Sequence, residues 1–260
     1  MSARPARPLH RTEAIVLRLL DYGESDRIVT FITTGFGKIR GIAKGARRSR
    51  KRFANALEPF CRSTILFSRR SSEGLALIES SDVISHFPSI RADLERTLMA
   101  SYLIDLTEQF TPEEKKNEPV FALLADFLGL IEAGPVTEAI LRFFEIRILK
   151  LSGYEPVLDR CQICKAPLSG GSCYRFDPAA GGIACGSCTP RGPDALPLSL
   201  GTIRTLLMGR EMAVDKLGRL LLTGPSAEEG RRMMTLFIRH LLGRELKSLH
   251  VLNDIRRLGL

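Results

Sequence analysis

The chain has 260 residues, 44% of them hydrophobic and 26% charged, with a formal net charge of +9. These values are ordinary for a globular protein and leave room for more than one domain. No apolar run is long enough for a helix to cross a bilayer, which excludes a helical membrane protein.

The charge is not spread along the chain. Between Arg27 and Leu57 there are nine Lys or Arg residues and no Asp or Glu. Outside that window acids and bases are equal in number, so the whole excess sits in it. Like charges repel and add nothing to a packed core, so such a patch points to a polyanionic partner. In the opening "MSARPARPLHRTEAIVLRLL", Glu13 and Arg18 interrupt the apolar run and no small-residue cleavage site follows, so a cytoplasmic protein is expected. The six cysteines agree with that if most serve a metal.

Taken in order, the first part reads as β. Thr12–Tyr22 is β-branched and apolar, Asp21–Asp26 ("DYGESD") is turn-forming, and Arg27–Thr33 is mostly β-branched. In the latter, Ile28, Thr30 and Ile32 share one face, and Val29 and Phe31 the other. Lys38–Gly45 ("KIRGIAKG") reads as a half-exposed strand with Lys38, Arg40 and Lys44 outward. Ala46–Ala56 has no period and reads as a mobile loop carrying Arg47, Arg48, Arg50, Lys51 and Arg52. "EPFCRSTILFSRR" and "GLALIESSDVISHF" complete five short strands, which suggests a closed barrel of the OB type.

The period changes near Pro88. Leu94, Leu98, Tyr102, Leu106 and Phe110 recur every four residues, so Ser89–Phe110 is expected to be one helix. A second runs from Asn117-Glu118-Pro119 to Glu132. A third, Val136–Leu151, is apolar over most of its circumference and is expected at the centre of a bundle. Helical patterns return at Leu198, and Ser226 with Glu229 forms the pattern of a capping box.

Cys161-Gln-Ile-Cys164 and Cys185-Gly-Ser-Cys188 are two knuckles twenty residues apart. Each turn aims two sulfurs at one point, and two turns make the closed tetrathiolate of a structural zinc site, one ion per chain. Cys173 fits no knuckle, and Cys61 reads as a small buried residue. No catalytic constellation is evident. His10, His86, His240 and His250 are scattered, and "GFGKIRG" lacks the Ser or Thr of a phosphate loop. Asp21, Glu24 and Asp26 read as a solvated turn. A binding protein is expected, not an enzyme.

The basic strand and loop read as a phosphate-tracking groove formed by Lys38, Arg40, Lys44, Arg47, Arg48, Arg50, Lys51 and Arg52. Phe36 and Phe53 are candidates for base stacking, and the competing reading puts both in the core.

In "EAIVLRLLDYGESDRIVTFIT", "GKIRGIAKGARRSRKRF" with "LEPF", "GYEPVLDRCQIC" and "YRFDPAAGGIACGSC", the chain resembles the bacterial RecO family of DNA repair proteins over nearly its whole length. The resemblance implies an α+β multidomain fold: a five-stranded OB-fold (1–86), a helical domain in two parts (87–157 and 193–260), and an inserted four-cysteine zinc module (158–192). It implies binding of single- and double-stranded DNA and annealing of complementary strands without ATP. It also implies that, with RecR, the protein helps load RecA onto strands covered by single-stranded-DNA-binding protein. Contact with the acidic, apolar-ended tail of that protein is implied too. For that tail, Arg142, Phe143, Arg147 and Lys150 on the Val136–Leu151 helix are the candidate site; the competing reading makes these charges the solvated side of a core helix. An RNA-binding or RNA-modifying protein is the competing class, since barrel, basic loop and zinc knuckle are common around RNA.

Overall fold

The computed structural model describes residues 8–49, 51–69, 74–170, 173–188 and 194–258. The chain divides into two compact units, Met1–Glu132 and Ala133–Leu260.

The first unit holds a closed barrel of β1 (Leu9–Tyr22), β2 (Asp26–Thr33), β3 (Gly37–Ala43), β4 (Arg62–Ser68) and β5 (Ala76–Ser85). The order around it is β1-β2-β3-β5-β4, closed by pairing of β1 with β4. The pairings are antiparallel except β3 with β5, which run parallel through Gly41 and Ala76. Val16, Val29, Phe31, Ile39, Ala43, Ile65, Phe67 and Ile78 fill the interior. The period-two alternation of β2 and β3 is therefore the alternation between barrel core and outer face.

A register shift in β1 between Val16 and Arg18 has a larger consequence. Before it, Ala14 and Val16 point into the core; beyond it, Arg18, Leu20 and Tyr22 point outward. The extra residue of a bulge exchanges the two faces of a strand. The β2–β3 turn needs its glycine: Gly37 has φ 67°, and a Cβ there would collide with the Lys115 carbonyl.

Helices α1 (Pro88–Ala92), α2 (Leu94–Phe110) and α3 (Glu118–Ala133) belong with the barrel. The single helix expected over Ser89–Phe110 is broken at Asp93. Its backbone is extended, and its carboxylate accepts the Arg96 N–H at 2.9 Å as the N-cap of α2. Leu94, placed on the apolar stripe by periodicity, is exposed as a result.

The second unit is built on α4 (Glu138–Leu151), with α5 (Leu200–Glu211), a 3-10 turn (Val214–Arg219), α6 (Pro225–Leu242) and α7 (Lys247–Leu258). Ile140, Leu141, Phe143, Phe144, Ile146, Ile148 and Leu149 of α4 are buried, as its all-round apolar pattern requires. The Phe143 ring occupies the space where a Cβ at Gly209 of α5 would stand. The capping box at Ser226 is not formed. Gly224 caps α6, and Glu229 instead accepts from Ser199 N–H (3.0 Å), Ser199 Oγ (2.7 Å) and Thr202 Oγ1 (2.5 Å) at the start of α5. A carboxylate on one helix thus satisfies the N-terminus of another.

Between the knuckles run β6 (Tyr174–Asp177) and β7 (Gly182–Cys185), and with β8 (Leu196–Leu198), which follows the second knuckle, they form a three-stranded sheet in the order β7-β6-β8. Its hairpin turns at Asp177, whose Oδ1 accepts the N–H groups of Ala179 and Ala180. Phe176 meets Phe237 of α6 edge to face, with centroids 5.5 Å apart, so the sheet is anchored to the helices.

Candidate nucleic-acid surface and four-cysteine centre

Register places Arg18, Thr30 and Arg40 side by side on the outer face of β1, β2 and β3. The next row is Leu20, Ile28 and Ile42. Beyond it stand Tyr22 and Asp26, with Lys44 just past the end of β3. At the other end of the face Ile15 and Ile32 are buried, and the Lys38 ammonium donates to the Glu108 carbonyl of α2 at 2.7 Å. Burial pulls the Lys38 pKa below its ordinary value, against the opposing pull of Glu113 and Glu108. Helix α2 therefore covers one end of the sheet and leaves the other open. Leu20 and Tyr22 are each 54% exposed there, beside the exposed cations Arg40 and Lys44.

The expected groove is rearranged accordingly. Arg40, Lys44 and Lys51 are exposed and have no carboxylate partner among the described residues. Lys38 is half-buried and donates to the Glu108 carbonyl, so it does not stand free on the outer face as expected. Arg50 lies outside the described residues. Arg52 donates to the Lys44 carbonyl at 2.8 Å and lies 5.1 Å over the Phe53 ring.

The described part of the loop is packed on the barrel and turned. Phe53 and Leu57 are buried in the barrel core, and Ala46, Arg48 and Ala56 close short turns. Neither proposed stacking ring is available. Phe53 is core, and Phe36 packs against His10 and Phe67, each at 5.1 Å. The open face carries Tyr22, which the sequence reading placed at the end of the first strand, where the turn cluster "DYGESD" begins, and gave no role. The two-residue period of Arg18, Leu20 and Tyr22 was the available signal; the bulge that turns all three outward was not.

Acids do reach the basic window, from both sides. Arg27 pairs with Asp21 at 3.2 Å and Glu58 at 3.1 Å; Arg47 lies 3.8 Å from Asp21, and Arg48 4.0 Å from Glu24. Arg27, Arg47, Arg48, Ser49, Asn55 and Glu58 help line a groove of about 490 Å³. Part of the counter-charge that composition assigned to a partner is thus supplied by the chain itself.

The partner site expected on α4 is corrected. Arg142 is 1% exposed and its guanidinium meets the fully buried Glu145 at 2.7 Å; another of its nitrogens donates to the Arg231 carbonyl at 3.2 Å. Phe143 is buried against Gly209. Arg147 donates to the carbonyls of Gly209 and Met212, closing the C-terminal end of α5. Lys150 is exposed and paired with Glu211 at 2.7 Å, and Arg147 is half-buried. These groups hold helices together and present no cationic rim. The competing reading, a solvated helix side, fits Lys150 but not the buried Arg142.

In the second unit the ligating sulfurs of Cys161, Cys164, Cys185 and Cys188 all lie within 4.8 Å of one another. Those of Cys164 and Cys185 are 3.7 Å apart. Sulfurs at about 2.3 Å from a tetrahedral ion would be about 3.8 Å apart, so the cluster fits such an ion. β7 delivers Cys185 at its last position. The first knuckle is stitched to that strand through Gln162 N–H to the Ile183 carbonyl (2.8 Å) and the Val157–Ile183 and Val157–Gly181 bonds. Lys165, at φ 63°, closes the knuckle by donating to the Cys161 carbonyl. Burial opposes ionisation of Cys161. Backbone N–H groups of Cys164, Cys185 and Ile163 outweigh it and bring that thiol down to about 6. Cys188, hydrogen-bonded to Cys185 and crowded by the other sulfurs, is pushed up to about 12. Four thiolates this close repel one another, and a bound cation removes that repulsion. Cys173 is exposed, stands beside Gly186, and is not in the cluster.

Comparison with known sequences agrees with this architecture. The barrel segment, residues 7–87, matches the family model for the N terminal part of recombination protein O, and residues 91–250 match that for its C terminal part. The chain belongs to the recombination protein O family. It is 56% identical over 256 residues to the DNA repair protein RecO of Syntrophus aciditrophicus, covering 98% of this chain and 99% of that protein. The DNA repair protein RecO of Anaeromyxobacter dehalogenans is 39% identical over 241 residues, 93% of this chain and 94% of its own. That of a Roseiflexus species is 32% identical over 250 residues, 96% and 87%. The OB-type barrel, the helices and the four-cysteine cluster are thus those of a RecO-family chain. Among the described residues no helix is long and apolar enough to cross a membrane.

Proposed function

We propose that this RecO-family protein acts in bacterial DNA repair by binding DNA through the open end of its barrel face. The observation that carries the reading is the row of Leu20, Ile28 and Ile42 with Tyr22, flanked by Arg40 and Lys44. Phosphates require cations and unpaired bases require an apolar or aromatic platform, and this face offers both within one strand spacing of each other. Strands 2 and 3 are also the usual ligand face of an OB barrel. In this reading the protein works by binding, not bond-making. It anneals complementary strands without nucleotide, and with RecR it helps RecA onto strands covered by single-stranded-DNA-binding protein. It does so in the cytoplasm, at the nucleoid. The four cysteines hold one structural zinc ion, with no open coordination position for chemistry. The corrected role of α4 leaves the acidic tail of single-stranded-DNA-binding protein without an assigned surface.

The test separates phosphates from bases. With Arg40 and Lys44 both replaced by Ala, the log–log salt slope for single-stranded DNA is expected to become shallower by about 1.4 units, at about 0.7 per phosphate. Tyr22→Ala is expected to weaken binding about tenfold or more through lost stacking while leaving the slope unchanged. Wild-type affinity and slope in both variants would remove this face from the interface. A preference for RNA over DNA of equal length would favour the RNA-binding class, and mixing complementary strands without nucleotide measures annealing directly.

A further inference from the structure

We propose that Asp21 and Glu24 are intramolecular stand-ins for phosphate, occupying the loop arginines Arg47 and Arg48 until a polyanion displaces them. The inference rests on the nucleic-acid reading above and adds a determinant of its affinity and selectivity.

The basic window contains no acid, yet the β1–β2 hairpin tip brings two to it. Arg47 Nε lies 3.8 Å from Asp21 Oδ2, and Arg48 Nη2 lies 4.0 Å from Glu24 Oε2. The loop is held against the tip by backbone contacts as well. Arg47 N–H donates to the Ser25 carbonyl at 3.0 Å, Arg47 Nη1 to the Glu24 carbonyl at 3.3 Å, and Gly45 N–H to Asp26 Oδ1 at 2.8 Å. The acids and arginines are therefore neighbours by construction, not by side-chain chance. A carboxylate presents to a guanidinium much the same paired oxygens as a phosphate does.

The two arginine pairs differ from that of Arg27. Arg27 is more buried and held by both Asp21 and Glu58 at 3.2 and 3.1 Å, a fixed part of the groove. The Arg47 and Arg48 pairs are long and exposed, so water and salt weaken them and another anion can exchange for them. A single phosphate competes poorly with a tethered carboxylate. A strand presenting several phosphates at once competes well, because its local phosphate concentration is high. The hairpin acids thus favour polyanions over free phosphate.

Titration of a fluorescent mixed-sequence single strand into the full-length protein, across a salt series, tests this. Asp21→Asn with Glu24→Gln is expected to bind about two- to tenfold more tightly, the factor two exposed pairs can supply. The salt slope should steepen, since no freed carboxylate is left to recruit cations as the strand releases its own. Glu24→Gln alone, which leaves Arg27 its partners, should show a smaller gain in the same direction. With Arg47 and Arg48 replaced by Ala, the gain should vanish. An equal gain in that background would mean that the acids act through Arg27 or through their long-range field, and would overturn the inference. Unchanged affinity in both acid variants, with wild-type protein still binding DNA, would overturn it while sparing the proposed function. A wild-type chain that binds no nucleic acid would overturn both.

Discussion

Protein purified without chelator is expected to carry one tightly held zinc ion per chain, and Cys161→Ser or Cys185→Ser to lose it. Metal analysis of the three proteins checks this. Cys161 is the most severe site. It is fully buried, its sulfur accepts the Cys185 N–H at 3.4 Å, and its backbone closes the knuckle at Lys165. A serine there cannot replace the thiolate and leaves a buried hydroxyl in its place. Loss of metal should loosen the knuckles first. The β6–β8 sheet keeps a small apolar core of Phe176, Ile183, Leu196 and Leu198 and its contact with Phe237, so α4 to α6 should stay helical. Cys173→Ser should leave metal content unchanged. No metal in the wild-type protein, or full retention in both ligand variants, would refute the assignment.

The second large effect is on stability. Arg142→Ala is expected to cost about 3–5 kcal/mol in denaturant unfolding, because it removes the buried guanidinium that meets the Glu145 carboxylate, 0% exposed, at 2.7 Å. Replacing both residues together, Arg142→Met with Glu145→Leu, should restore most of the loss. Two apolar side chains of similar size leave no charge to desolvate. A double variant as unstable as the single one would mean that the Arg142 stem, packed near Gly230, matters more than the charge pair. On the sequence alone, Arg142 read as a rim charge whose loss the fold would tolerate; its burial reverses that expectation.

The knuckles, the barrel strands and the central helix were legible because each is a short-range pattern. Cys-x-x-Cys puts two sulfurs on one turn wherever the turn lies. The alternation of Ile28, Thr30 and Ile32 against Val29 and Phe31 shows two faces of β2. The apolar circumference of Ile140–Leu149 shows a buried helix. What those patterns lack is a statement of what lies opposite. An α4 with arginines among its apolar residues reads the same whether the arginines meet water, a peptide or Glu145. The Ser226–Glu229 spacing reads as a cap whether Glu229 turns back on its own helix or reaches Ser199.

The sequence by itself determined most of the element types, the five-stranded barrel and the four cysteines of the cluster, since spacing and periodicity carry these, and its quoted motifs carried the resemblance to the family. Only the tertiary structure decided which charges are free. Lys38 is covered by α2, Arg47 and Arg48 meet acids from another hairpin, Arg142 is buried, Arg147 is held by the α5 carbonyls, and Arg40 and Lys44 remain open. The bulge at Leu17, which sends Tyr22 outward, was decided there as well. The reason is that a charge or a ring acquires its role from neighbours that are distant along the chain. Net charge sums over residues regardless of position, whereas pairing and burial depend on separations of a few ångströms that only the packed chain sets.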